Sequence, residues 1–277
     1  MKSILVTGCS SGIGRHCALR LKELGYRVFA TARQEQDVQV LSELDLESLQ
    51  LDLDSSDSIN RAVDQVLERT GGTLDALFNN AAYGQPGAVE DLTRDVMRAQ
   101  LETNLLGTLE LTNRVLPVMR RQRHGRIVMN SSVLGMVALK YRGAYNCSKF
   151  ALEGLTDTLR LELEGSGIAV SLIEPGPIES AFRKNAFAKF NENIDVEASA
   201  HRQTYEAVVA RLANQEPGKE PAFTLTSEAV LKPLLHAIES RRPKARYYVT
   251  FPTHFMGLMR RILPYWLLDR LLIRSSD

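Results

Sequence analysis

A tyrosine and a lysine stand four residues apart in the chain, at Tyr145 and Lys149. In a helix this spacing puts both side chains on one face. A free tyrosine has a pKa of about 10, which is too high for efficient proton transfer near neutral pH, and a neighbouring ammonium group lowers that pKa. The pair predicts a tyrosine that exchanges a proton with a substrate oxygen. The alternative is a surface tyrosine–lysine pair without chemistry.

Two polar residues upstream of this pair favour the catalytic interpretation. Ser132 ends a predicted strand 13 residues before Tyr145, where its hydroxyl can hold a substrate oxygen. Asn104 falls inside a predicted long helix, where its amide can anchor a water relay. The alternative for Asn104 is an amide that only hydrogen-bonds to backbone.

A glycine-rich turn follows the first predicted strand, and a helix opens directly after it. The glycines are Gly8, Gly12 and Gly14, in the spacing GxxxGxG, with Ser10, Ser11 and Ile13 between them. Glycines let the backbone approach a pyrophosphate, and the N-terminus of a helix favours its negative charge. A tight turn without a ligand is the alternative. The position after the first strand of a βαβ unit favours a dinucleotide site.

The end of the second predicted strand bears on which dinucleotide binds. An acidic residue there accepts hydrogen bonds from the adenosine ribose and repels a 2′-phosphate. This chain has Thr31-Ala32-Arg33 and no carboxylate before Glu35. Arg33 can pair with a phosphate and Ser11 can add a hydroxyl, so NADP(H) is favoured over NAD(H). Arg33 as a solvated loop arginine is the alternative.

Short β-branched runs alternate with segments of helical period, which predicts βαβ crossovers. The fold class is therefore α/β: a single-domain, Rossmann-type, doubly wound parallel sheet of about seven strands with helices on both faces. Residues 1–250 form this domain, 177–221 a substrate-lid insertion and 251–277 an amphipathic basic tail. Strands are predicted at 3–7, 27–32, 49–52, 74–79, 126–130, 169–174 and 246–250. Helices are predicted at 14–24, after Ser55, and at 93–123, 143–165, 196–213 and 227–240.

Composition narrows the class of protein. The 277 residues carry 34 basic and 33 acidic side chains, so no excess charge argues for nucleic acid. Three cysteines without paired spacing predict a reduced, cytoplasmic protein, and no ligand spacing among the histidines predicts no metal. No uncharged stretch of about 18 residues is present, so no membrane span is predicted.

The motifs, taken together and in order, resemble the short-chain dehydrogenase/reductase family over residues 3–180 and more weakly to 250. The resemblance implies that Tyr145 is the catalytic acid and base and that Ser132 positions the substrate oxygen. It also implies that Lys149 binds the nicotinamide ribose and lowers the Tyr145 pKa, and that Asn104 holds a relay water. The matching residues are Thr7-Gly8, Gly12-Ile13-Gly14, Asn79-Asn80-Ala81, Asn104, Ser132, Tyr145, Lys149 and Pro175-Gly176.

The same resemblance implies the rest of the cofactor site. Asp52, with Leu53 beside it, reaches the adenine, and Asn80 and Ala81 line the adenosine ribose. Residues that surround the nicotinamide and its pyrophosphate are Pro175, Gly176, Ile178 and Ser180. The chain departs from the family at Ala82, where members usually have glycine. If that position needs a positive φ, alanine lowers the stability of the fold by about 1 kcal/mol relative to glycine.

Within the family, the sequence is similar to a subgroup of 17β-hydroxysteroid dehydrogenases, retinol dehydrogenases and bacterial NADP-dependent aldehyde reductases. This similarity implies an NADPH-dependent carbonyl reductase for apolar aldehydes or ketones. A 17β-hydroxysteroid dehydrogenase-like enzyme is an alternative, with a flat apolar pocket formed by Phe187, Phe190, Tyr205 and Phe223. A non-catalytic NADP(H)-sensing regulator is an alternative of another class. A homodimer or homotetramer is expected from the resemblance alone.

The tail concentrates positive charge. Eight basic and two acidic side chains follow Ser240, whereas the 240 residues before carry 26 basic and 31 acidic ones. Apolar residues alternate with these charges, and Pro264 divides them into two short amphipathic pieces. A basic amphipathic helix with a tryptophan suits an anionic membrane surface, which predicts a peripheral contact. The alternative is that the apolar face packs on the domain or on a partner subunit.

Overall fold

The computed structural model describes residues 1–213 and 222–276. Seven short, mostly buried strands pair into one parallel sheet. The strands lie in the order β3-β2-β1-β4-β5-β6-β7. This is the predicted doubly wound sheet, and the prediction is confirmed. The strands are β1 (Ser3–Val6), β2 (Arg27–Ala32), β3 (Glu47–Gln50), β4 (Ala76–Asn79), β5 (Gly125–Asn130), β6 (Ile168–Glu174) and β7 (Arg246–Tyr248).

Helices connect successive strands and cover both faces of the sheet. Their bounds are α1 (Gly12–Glu23), α2 (Glu35–Glu43), α3 (Ser56–Thr70), α4 (Arg94–Leu101), α5 (Thr108–Gln122), α6 (Gly143–Glu162), α7 (Phe182–Asn193), α8 (Arg202–Ala213), α9 (Glu228–Glu239), α10 (Phe251–Ile262) and α11 (Tyr265–Ser276). Ser55 caps α3 as predicted, because its hydroxyl accepts a hydrogen bond from the Ser58 amide at 3.3 Å.

Strand β1 shows how the two faces are filled. Leu5 points into one buried cluster, with Leu77 and Leu111, while Ile4 and Val6 point into the other, with Leu21. Successive side chains of a strand alternate between faces, so a strand covered on both sides must be apolar throughout. Two hydrophobic cores therefore hold the sheet between its helical layers.

The strand order reverses between β1 and β4, because the chain builds outward through β2 and β3 before it returns to β4. In open α/β sheets, ligands bind outside the carboxyl ends of the strands at such a point. The glycine turn follows β1, Asn80 follows β4 and Ser132 lies just after β5. The topology thus brings these distant segments to one edge of the sheet.

Two elements differ from the predicted ones near this edge. The predicted helix 93–123 is divided into α4, a π-helical segment Glu102–Gly107, and α5. A Cβ atom on Gly107 would lie 2.0 Å from the Leu53 carbonyl oxygen, so the wider turn is packed directly against that backbone. Strand β3 begins and ends two residues before the predicted 49–52. The chain turns after it, where the Asp52 carboxylate accepts a bond from the Asp54 amide.

The lid region contains two helices where one was predicted at 196–213. Helix α7 was not predicted, and α8 begins only at Arg202. Of the α7 side chains only Phe190 is buried, so the helix has no apolar stripe that its sequence could reveal. Part of the predicted lid, residues 214–221, lies outside the described residues. Helix α2 was likewise not predicted.

Candidate active site

Three positions of the turn after β1 leave no room for a side chain: Gly8, Gly12 and Gly14. Gly8 and Gly12 have φ angles of +70° and +54°, in the left-handed region that favours glycine. A Cβ atom on Gly14 would lie 2.2 Å from the Gly8 carbonyl oxygen, and one on Gly12 would lie 2.8 Å from the Ser180 Cβ. The turn therefore presents bare backbone at the N-terminus of α1, as a cradle for a pyrophosphate must.

Asn80 holds this turn in place from the end of β4. Its Nδ2 donates to the carbonyl oxygens of Thr7, at 2.9 Å, and Gly8, at 3.3 Å. Its Oδ1 accepts a hydrogen bond from the Asn130 side chain at 2.8 Å. The Thr7 hydroxyl in turn accepts hydrogen bonds from the backbone amides of Asn80 and Ala81, both at 2.9 Å. Asn80 thus links three strand ends into one rigid unit.

A cavity of about 1540 Å³ runs from this turn to the lid. Every predicted cofactor residue except Gly14 lines it. Gly14 contributes instead by its lack of a side chain, as the contact with Gly8 shows. The lining set is Gly8, Ser10, Ser11, Gly12, Ile13, Arg33, Asp52, Leu53, Asn80, Ala81, Tyr145, Lys149, Pro175, Gly176, Ile178 and Ser180.

Arg33 and Asp37 both line the cavity near the end of β2. Asp37 was not predicted, because it lies in the first turn of α2, a helix that the sequence pattern did not reveal. No carboxylate stands at the end of β2 itself. The predicted Arg33 therefore lines the cavity at the end of β2, together with the carboxylate of Asp37, which was not predicted.

Ser132, Tyr145 and Lys149 meet on the floor of the cavity. The Ser132 hydroxyl lies close enough to the Tyr145 side chain to lower its pKa. Lys149 lies one helical turn further along α6, with its Nζ 5.7 Å from the centre of the Tyr145 ring. The same Nζ donates a hydrogen bond to the Asn130 carbonyl oxygen at 2.8 Å. The structure thus brings together three of the four predicted catalytic residues.

Burial controls the protonation of this group. It raises the pKa of Tyr145 to about 12, although the neighbouring Ser132 hydroxyl acts in the opposite direction. It lowers the pKa of Lys149 to about 8, against the attraction of the Glu153 carboxylate. Desolvation of the phenolate is the largest cause of the rise in the Tyr145 pKa. The lowering of that pKa by Lys149 stays a prediction.

Asn104, the fourth predicted residue, does not line the cavity. It is buried in the π-helical segment, where its Oδ1 accepts from the Tyr83 amide at 3.1 Å. Its Nδ2 donates to the Tyr83 carbonyl oxygen at 2.9 Å and to the Ser148 hydroxyl at 3.1 Å. Two of these contacts match the alternative of an amide bonded to backbone, and the third reaches a side-chain hydroxyl. Asn104 joins the segment around Tyr83 to the catalytic helix α6.

Aromatic side chains form the lid end of the cavity. The Phe182 ring lies 5.3 Å from the Tyr145 ring, and a Cβ atom on Gly84 would lie 2.8 Å from the Phe182 Cζ. Phe187, Phe190 and Tyr205 line the cavity as predicted. Phe223 does not: it is exposed and its ring lies 5.1 Å from that of Phe251. Its predicted place in the pocket was wrong, because it packs on the tail.

Position 82 shows no strain from its departure from the family pattern. Ala82 lines the cavity and is not among the residues with positive φ. The loss of stability expected for alanine at a positive φ therefore does not arise at position 82. Tyr141 does have a positive φ, of 59°, and also lines the cavity. No sequence signal marked Tyr141, because its backbone angle depends on the surrounding loop.

A sequence profile described as short chain dehydrogenase matches residues 2–191. The chain belongs to this family. It is 41% identical over 271 residues to the oxidoreductase YbbO of Escherichia coli (strain K12), covering 98% of this chain and 94% of the relative. It is 33% identical to human 17-beta-hydroxysteroid dehydrogenase type 1, covering 93% of this chain and 79% of that protein. This short-chain dehydrogenase is therefore an oxidoreductase, and its family uses a nicotinamide cofactor.

Solved structures agree with the family assignment. A short-chain dehydrogenase from Streptomyces avermitilis superposes with a TM-score of 0.76 at 27% identity, covering 100% of both chains. A second structure, a short chain dehydrogenase/reductase from Burkholderia phymatum in complex with NAD, has a TM-score of 0.75 at 23% identity. It covers 94% of this chain and 92% of that one. The second likeness supports the fold only.

Proposed function

We propose that the chain is an NADPH-dependent carbonyl reductase and alcohol dehydrogenase for apolar aldehydes or ketones. The observation that carries the proposal is the placement of Ser132 next to Tyr145 in the cavity lining. The pair lies inside one cavity, between the bare glycine turn and the aromatic lid. A dinucleotide fits the first end because backbone amides and a helix N-terminus face it. An apolar carbonyl compound suits the second end because rings surround it.

When bound, NADPH supplies the hydride. In the proposed mechanism the Ser132 hydroxyl donates a hydrogen bond that orients the substrate carbonyl oxygen. Tyr145 then gives its phenolic proton to that oxygen as the alcohol forms. With a pKa of about 12 in this structure, Tyr145 is protonated at neutral pH, which is the form that reduction requires. Lys149 is proposed to hold the nicotinamide ribose and, once that site is filled, to stabilise the phenolate.

Asn104 keeps a narrower proposed role. Both hydrogens of its amide are already donated to protein atoms, so a relay water would have to bind the remaining lone pair of Oδ1. We therefore propose that Asn104 acts mainly as a positioning residue. It connects the segment at Tyr83 to Ser148, whose hydroxyl in turn donates to the Tyr145 carbonyl oxygen at 2.8 Å.

The preference for NADP(H) over NAD(H) rests on Arg33. Its side chain lines the cavity at the end of β2, where Ser11 also faces the cavity. A guanidinium group can bind a 2′-phosphate through two parallel hydrogen bonds. Asp37 opposes this preference, because a carboxylate repels the same phosphate. We propose that the remaining lining residues contact the adenine, the ribose and the nicotinamide as the family resemblance implies.

A hydroxysteroid dehydrogenase is the second candidate. Its support is the similarity to human 17-beta-hydroxysteroid dehydrogenase type 1 and the rings of Phe187, Phe190 and Tyr205 in the cavity wall. We propose that residues 177–221 act as the substrate lid in either case. The non-catalytic sensor is disfavoured by the presence of Ser132, Tyr145 and Lys149 together on the cavity floor.

Cofactor oxidation by the purified protein tests the proposal. Decanal, retinal and a steroid ketone are each offered with NADPH and, in parallel, with NADH. We expect rapid loss of NADPH with the aldehydes and slower loss of NADH. Turnover with the steroid alone would move the substrate to the second candidate. Tight NADPH binding without turnover of any of them would favour the sensor.

We further propose a cytoplasmic homodimer or homotetramer. Three exposed apolar side chains on the π-helical segment and α6 support self-association: Leu106, Phe150 and Leu161. The cysteines are all unpaired, and Cys147 is exposed, which suits a reducing compartment. Light scattering on the eluting protein measures the mass of the assembly, and a monomer at micromolar concentration would contradict the proposal.

A further inference from the structure

Helices α10 and α11 leave several large apolar side chains exposed. Helix α10 is anchored by buried Thr253 and Gly257, and a Cβ atom on Gly257 would lie 2.8 Å from the Tyr248 ring. Helix α11 is anchored by Leu268, which is 6% exposed. No helix in residues 1–213 and 222–276 is long and apolar enough to cross a bilayer. The exposed apolar side chains of α10 and α11 therefore call for a partner that covers them at the surface of the protein.

Three exposed side chains and the half-buried Phe255 form a stripe on α10. Phe251, Phe255, Leu258 and Ile262 follow one another at intervals of four, three and four, which places them on one side of α10. The rings of Phe251 and Phe255 stack at 5.9 Å. Across Pro264 the exposed apolar surface continues on α11. Its members there are Tyr265, Trp266, Leu267 and Ile273, of which Trp266 is 60% exposed.

Positive charge borders this stripe without acidic partners. The helices carry Arg260, Arg261, Arg270 and Arg274, and Asp269 is their sole acidic residue within 251–276. No ion pair found among the described residues includes any of these four arginines. Two of them lie instead on aromatic rings: Arg260 on Phe150 at 5.4 Å and Arg270 on Trp266 at 5.3 Å. An apolar stripe bordered by uncompensated guanidinium groups matches the interface of an anionic lipid bilayer.

We propose that this tail surface, the exposed face of α10 and α11, docks on anionic lipid with both helices lying in the plane of the membrane. Residues 1–250 carry 30 basic and 31 acidic side chains, so the net positive charge of the chain lies in the tail. Ser275, near the end of α11, lines the cavity, so docking places the cavity beside the lipid. This surface does not depend on which cofactor or substrate the cavity takes.

A second copy of the chain is the competing occupant. A two-fold interface would put the same patch on both sides, so the four arginines of each copy would face four like charges. Phosphate headgroups would neutralise those charges instead, and lipid tails would cover the stripe. The charge on the surface therefore favours lipid over self-association.

Trp266 makes the proposal directly measurable, because it is the single tryptophan of the chain. Its emission is recorded on the full-length protein with vesicles of pure phosphatidylcholine and with vesicles that also contain phosphatidylglycerol. We expect a blue shift and co-sedimentation with the mixed vesicles alone, both weakened by added salt. Equal responses to the two vesicle types, or none, would overturn the proposal. So would a blue shift that grows with protein concentration in the absence of lipid.

Matched variants test whether vesicle binding depends on this surface and not on net charge or general hydrophobicity. Arg261→Gln with Arg274→Gln should weaken binding to the mixed vesicles by about tenfold or more, because each basic residue near an anionic surface contributes several-fold. Arg120→Gln with Arg121→Gln removes the same charge from the exposed end of α5 and should leave binding unchanged. Ile262→Ser should also weaken binding. Leu24→Ser, at an exposed site just after α1, should not. Equal losses in the paired variants would overturn the proposal.

Discussion

The floor of the cavity and the lid above it are held by different forces. The floor belongs to the sheet: Tyr145 and Lys149 are buried on α6, and Ser132 lies just after central strand β5. The lid helices α7 and α8 instead rest on a small separate cluster, whose buried members are Ala88, Phe190, Ile194 and Tyr205. Regions with few buried contacts open at lower free energy than a core. The lid can therefore move while the chemistry stays in place.

Polar bonds compensate for the small size of the lid cluster. The Tyr205 hydroxyl accepts a hydrogen bond from the Ala88 amide at 2.7 Å and donates one to the Asp91 carboxylate at 2.5 Å. Ser199 donates to the same carboxylate at 2.7 Å, and His201 lies 2.6 Å from Glu90. We expect the proposed lid, held by a few such bonds, to move without disturbing the cofactor end.

The largest effect should come from Tyr145→Phe on the floor. The variant lacks the proton that the proposed reduction transfers, so kcat should fall by about a thousandfold or more. NADPH affinity should change by less than about threefold, because the ring remains in place. Steady-state turnover and a binding titration measure the two quantities. Tyr26→Phe is the control: it loses a buried hydroxyl, bonded to Glu239, far from the cavity and should keep full turnover.

The next effect concerns the cofactor end of the floor. Gly14→Ala forces a methyl group against the Gly8 carbonyl oxygen, so the turn must shift. We expect NADPH binding to weaken by about tenfold or more and stability to fall by about 1–3 kcal/mol. Gly154→Ala is the matched control in a helix, since nothing lies within 4 Å of the added atom. That variant should be slightly more stable than the parent. Equal effects of the two changes would show that the turn tolerates side chains.

Sequence patterns predicted the residues of the floor and the extent of the lid but missed helix α7, for a physical reason. The floor depends on local rules: glycine where the backbone must be bare, and a four-residue spacing on one helix. The lid depends on contacts between distant segments, such as Tyr205 with Ala88, which leave no periodic signal in α7. Asn104 shows the limit within the floor. Its residue type was noticed, but its three hydrogen-bond partners depend on the packing of the Tyr83 segment against α6.

A third prediction tests a buried carboxyl pair beside the floor. Burial, together with the Glu153 carboxylate, raises the pKa of Glu174 from 4.5 to about 8, while Arg246 opposes the rise. A raised pKa means that folding favours the protonated form. The contribution to stability is therefore complete below pH 4.5 and is lost as pH rises through about 8. Unfolding by denaturant at several pH values should show this decline in the parent protein.

Glu174→Gln should flatten that pH dependence, because the amide imitates the protonated acid and does not titrate. The exposed residue Glu23 supplies the control, and Glu23→Gln should leave the decline unchanged. The same decline in all three proteins would place its origin elsewhere in the molecule.

The smallest expected effect distinguishes the lid from the floor most directly. Tyr205→Phe keeps the ring, which packs 5.0 Å from that of Phe190, and removes only the hydroxyl. The buried Ala88 amide then loses its acceptor, at a cost of about 1–2 kcal/mol. Hydrogen exchange in α7 and α8 should therefore quicken by about tenfold, and KM for an apolar aldehyde should rise a few-fold. Exchange in β1 and β5 should not change, because those strands belong to the sheet core. If exchange quickened equally in all four elements, lid and floor would be one cooperative unit, and the lid could not open without loosening the sheet that holds Ser132.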